Sequence, residues 1–176
     1  MDTQFTVFDV LQIAEEVQTK AARFCLLAAG RCADEERREL CHSLAEWRLR
    51  QRDAWRRIRH QYAERTGECG VFDPDNYVRS HPWTMAGLTG YGTDPNRHSR
   101  PTGRETKEQI LHDAMRQAQS ILIFYQGLKE FARGPDSLLM IDNVIGEEQR
   151  HIRRLVHVLE QAQTPDDHCR QLAVVP

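Results

Sequence analysis

The chain has 176 residues, enough for one domain with a sizeable core, and its 40% hydrophobic and 28% charged residues are the balance of a soluble globular protein. A formal net charge of −2 gives no global attraction to nucleic acid or to an anionic membrane. No apolar stretch approaches twenty residues, which argues against a membrane span, and Met1–Phe5 lacks the basic-then-apolar pattern of a signal peptide, so a cytoplasmic address is expected.

Four long segments carry helical periodicity, at about 8–32, 36–64, 106–133 and 137–163. Thr6 and Asp34 are suited to cap the first two, and Thr102-Gly103-Arg104-Glu105 has capping-box spacing ahead of the third. Gly134-Pro135-Asp136 stops the third helix and opens the fourth within three residues. Tight breaks make two antiparallel hairpins, joined by a Gly-, Pro-, Asp- and Asn-rich crossover at about 66–105. Phe72, Tyr77, Trp83, Met85, Leu88 and Tyr91 within that crossover point to a segment packed on the bundle or on a second chain. Residues 1–164 thus read as an all-α bundle domain and 165–176 as a loosely ordered tail.

The two hairpins repeat. Placing residue n of the first on n+100 of the second aligns Phe24-Cys25 with Phe124-Tyr125, and Leu44-Ala45 with Val144-Ile145. Seven-residue spacing marks an inward stripe on each helix. The first carries Leu11, Ala14, Gln18, Ala21, Cys25, Ala28 and Cys32, and the second Cys41, Leu44, Arg48, Gln51, Trp55, Ile58 and Tyr62. The third carries Leu111, Ala114, Ala118, Ile121, Tyr125, Leu128 and Ala132, and the fourth Ile141, Val144, Glu148, His151, Leu155, Val158 and Ala162. The polar exceptions are Gln18, Arg48, Gln51, Glu148 and His151, all at mid-helix. A buried carboxylate needs a cation or a metal, so this level of the core is where chemistry is expected.

Glu148 and His151 form Glu-x-x-His, a carboxylate and an imidazole one turn apart on an inward face. With Phe124-Tyr125 and Glu147-Glu148-Gln149-Arg150-His151, the chain resembles the rubrerythrin-like branch of the ferritin-like superfamily over about 10–159, crossover excepted. The resemblance implies a ferritin-like four-helix bundle with a di-iron carboxylate centre and oxidoreductase chemistry. Of the positions where that family places ligands, only Glu148 and His151 match; Gln18, Arg48, Gln51 and Ala118 occupy the others. Arginine cannot ligate a metal and repels one. No complete di-iron centre is therefore expected. Either Arg48 pairs with Glu148, with Gln18, Gln51 and His151 completing a polar network, or Glu148 and His151 weakly hold one iron, manganese or zinc ion with ligands from elsewhere. A structural or regulatory module, with no catalysis, follows from the first; a metal-dependent oxidoreductase or peroxidase follows from the second.

Other features weigh less. Helix two carries Arg50, Arg52, Arg56, Arg57 and Arg59 around Trp47 and Trp55, but interspersed acids favour a solvated face or a homodimer rim over a nucleic-acid surface. His112 lies off the stripe and reads as a surface residue. Five cysteines without a Cys-x-x-Cys read as free thiols, with Cys25 and Cys41 as neighbours across the first hairpin. Cys69, between glycines, reads as exposed, without a basic group to activate it.

Overall fold

The computed structural model describes residues 5–68 and 101–163. Most of the crossover, with Cys69 and its aromatic groups, and the tail after residue 163 lie outside the described residues. Among the described residues four α-helices pack as a bundle: α1 (Val7–Ala29), α2 (Glu35–Thr66), α3 (Lys107–Leu128) and α4 (Gly134–Gln163). None is long and apolar enough to cross a membrane.

Local chemistry sets the ends. Thr6 caps α1 in a reciprocal box with Asp9, and Asp34 caps α2 by accepting from the Arg37 amide. The cap of α3 differs from the sequence reading. Thr106, paired with Gln109, fills that role. Glu105 instead turns back one step earlier, accepting from the Thr102 amide and hydroxyl and from the Gly103 amide. That closes a compact strap, residues 101–106, ahead of the helix. Arg31 and Arg37 donate to the Pro101 and Glu105 carbonyls at 2.6 and 2.8 Å, tying the strap to the α1–α2 turn. Gly103 (φ 81°) comes so close to that turn that a Cβ would run into the Arg31 carbonyl.

The third helix also stops earlier than its periodicity suggests. After Leu128 the chain tightens into a single 3-10 turn, Lys129–Phe131. The Phe131 carbonyl then accepts from the Phe5 amide, and the Arg133 amide donates to the Phe5 carbonyl, both at 2.7 Å. This parallel bridge, Phe5 with Ala132, holds the start of α1 against the α3–α4 turn.

All seven stripe residues of the first helix segment are buried, Cys32 from the turn just beyond α1. On α2 only Cys41, Arg48 and Trp55 of the stripe are buried, while Leu44, Gln51 and Tyr62 are half-buried. Ile58 is a correction: it is exposed at 37%, because α2 has drifted off the seven-residue register by its last turns. The main core joins Val10, Leu11, Ala14 and Val17 of α1 with Ile121, Tyr125 and Ile141 of the second hairpin.

Candidate functional site

At mid-bundle three helices each send one polar side chain inward. Gln18 comes from α1, Arg48 from α2 and Glu148 from α4, each no more than 2% exposed. Arg48 Nη1 donates to Glu148 Oε1 at 2.8 Å and to Oε2 at 2.9 Å. The same nitrogen donates to Gln18 Oε1 at 3.1 Å, and Gln18 Nε2 returns a bond to Glu148 Oε2 at 3.3 Å. The three groups close a ring. Positions 48 and 148, equivalent in the two hairpins, thus meet across the core, as the repeat anticipates.

His151 joins this level by stacking. Its ring lies 3.6 Å from that of Trp47, with 10° between the planes. The Arg48 guanidinium carbon stands 5.0 Å from the Trp47 ring centroid, so the indole borders both groups. Burial above all, then the Arg48 and Arg154 charges, pushes the His151 pKa down to about 2. The imidazole is therefore neutral throughout the physiological range.

Three expectations need correction. Among the described residues His151 makes no hydrogen bond to the ring and meets Trp47 instead. Gln51 is only half-buried, and among the described residues no hydrogen bond joins it to the ring. The arginines around Trp47 predict a solvated face, yet Trp47 is buried and supplies the face on which His151 rests. The sequence carries its signal, since Leu40 and Trp47 stand seven residues apart, beside Cys41 and Arg48 of the main stripe. The basic face of α2 is neutralised locally: Arg56 and Arg59 grip Glu15 at 2.7 and 2.8 Å, and Arg50 pairs with Glu46 at 3.5 Å. His112 is exposed, as read.

The donor set does not fit a pair of metal ions. Both Glu148 oxygens already face one guanidinium nitrogen, and a cation beside them would meet a permanent positive charge. Ala118, fully buried at the corresponding point of α3, offers no donor. Among the described residues no three His, Cys, Asp or Glu side chains are grouped so as to hold a metal ion.

One end of the bundle carries a second polar inclusion. Cys25, Cys32 and Cys41 are buried free thiols. They line a partly open cavity of about 30 Å³, together with Ile110, Ala114 and Glu105. Burial, with the Cys32 and Cys25 thiols beside it, pushes the Cys41 pKa up to about 12. Burial also raises the Cys25 pKa, against the opposing pull of the Arg48 charge. Cys25 and Cys41 do share this cavity, as the hairpin register anticipates, with Cys32 as the added member.

No protein-family model, no curated protein and no solved structure matches the chain.

Proposed function

We propose that the protein is a ferritin-like bundle of the rubrerythrin type in which an arginine has taken over the charge role of the metals, leaving a non-catalytic structural or regulatory module. One observation carries this reading: Arg48 Nη1 lies within 2.9 Å of both oxygens of Glu148, the carboxylate of the inward Glu-x-x-His. A guanidinium there neutralises the buried carboxylate without an exchangeable ion. The element order supports the same reading, with two helical hairpins and a long connection between α2 and α3. Self-association into a homodimer belongs to the proposal, supported by Leu27, Ile123 and Leu139, which are large, apolar and more than half exposed.

The test is metal content by elemental mass spectrometry on untagged protein expressed with added iron, alongside Glu148→Ala. Metal far below one ion per chain in both proteins is the expected result. Near-stoichiometric iron, manganese or zinc in the wild type, lost in Glu148→Ala, would overturn the proposal in favour of a metal-dependent oxidoreductase. Light scattering on the same sample reads the dimer.

A further inference from the structure

The buried ion pair makes no use of the three thiols at the α1–α2 end. Cys32 lies in the turn after α1 and Cys41 in the second turn of α2, so eight residues of chain separate them. Both belong to one apolar cluster with Ala28, Ala29 and Ile110, and both line the same cavity. A volume of about 30 Å³ admits a molecule the size of water or hydrogen peroxide. The site is partly open, and Cys32 is 7% exposed where Cys41 is 1%. Two thiols on adjoining elements thus face one cavity across a short turn, the neighbourhood in which a disulfide can close.

We propose that Cys32 and Cys41 form a redox modification site, a dithiol that a small peroxide reaching the cavity converts into a disulfide across the α1–α2 turn. The more accessible Cys32 reacts first. Its thiolate sulfur attacks one peroxide oxygen, the O–O bond breaks, and Cys32 becomes a sulfenic acid while the departing hydroxide takes up a proton as water. The sulfur of Cys41 then displaces the hydroxyl from Cys32, forming the S–S bond, and the Cys41 proton leaves with that hydroxyl as a second water. Two thiols lose two electrons, and one peroxide gains them. Cys41 stays protonated until the second step, as its raised pKa dictates, which suits a resolving thiol and not an attacking one. A dithiol reductant reverses the reaction by exchange.

The experiment uses the full chain carrying Cys69→Ser and Cys169→Ser, which leaves Cys25, Cys32 and Cys41 as the cysteines. The folded protein is exposed to hydrogen peroxide, unfolded, alkylated, and mapped by mass spectrometry. Alkylatable thiols should fall from three to one, with Cys25 the survivor and a Cys32–Cys41 peptide pair present. Dithiothreitol should restore all three. Adding Cys41→Ser should abolish the pair and leave a sulfenic acid at Cys32 that dimedone traps. The same peptide pair sought in the wild-type chain keeps the test independent of any variant's folding. Three alkylatable thiols after peroxide, a disulfide to Cys25 instead, or thiols protected by a stoichiometric zinc or copper ion would each overturn the proposal.

Discussion

The middle of the bundle and its α1–α2 end both interrupt an apolar core with polar atoms, and they solve the problem in opposite ways. At the middle, full charges are kept and matched, with Arg48, Glu148 and Gln18 closing a ring at less than 3.4 Å per contact. At the end, the thiols themselves stay uncharged, since burial and mutual proximity hold Cys41 protonated. Matched charges make each partner indispensable to the other, whereas neutral thiols are individually dispensable. The two regions should therefore respond very differently to substitution.

The largest effect belongs to the middle. Arg48→Ala leaves Glu148 buried without its cation and should cost about 3–5 kcal/mol at pH 7, measured by urea unfolding. Replacing both partners, Arg48→Met with Glu148→Leu, should recover most of that loss, since an apolar pair has no charge to strand. A single variant as stable as wild type would refute the matched-charge account. The end of the bundle responds through backbone fit. Gly103→Ala, at φ 81° and against the Arg31 carbonyl, should cost about 1–3 kcal/mol and loosen the strap over the thiol cavity.

His151 gives a pH signature. Its pKa in the fold is about 2, well below the ordinary value near 6.5, so its contribution is present above 6.5 and is lost as pH falls toward 2. Between pH 7.5 and 5.5 this one group should remove about 1.4 kcal/mol of stability. His151→Phe keeps a ring against Trp47 and should flatten the unfolding free energy over that interval by the same amount. Parallel pH curves for the two proteins would show that His151 is not held neutral. The smallest effect is expected at Ile58, where partial exposure predicts that Ile58→Ser costs no more than about 1 kcal/mol.

Much of this was readable from residue spacing. Four helices, two tight turns and the meeting of Arg48 with Glu148 follow from periodicity and from the hundred-residue repeat, because core burial enforces both. What spacing missed depends on contacts between distant segments. The early stop of α3 is set by Phe5, more than a hundred residues away, competing for the Phe131 carbonyl. The arginines beside Trp47 on α2 hide its burial from spacing alone, because the His151 ring that stacks on it comes from α4. Gln51 stays half-buried because α2 is the most exposed of the described helices, so a stripe position there does not guarantee burial. The three-thiol cavity needed the strap, whose Glu105 turns back on itself instead of capping a helix.

The hundred-residue gap between Arg48 and Glu148 also has a consequence in time. A ribosome adding about 5–20 residues per second delivers Glu148 roughly 5–20 s after Arg48. Until then the first hairpin holds a cation on its would-be inner face, and hydration of that charge opposes collapse. The second hairpin, made alone, would hold the complementary anion under the same penalty. Each half is thus kept from settling prematurely by the charge that later fastens it to the other, and the nascent chain commits to its core only when both halves are present.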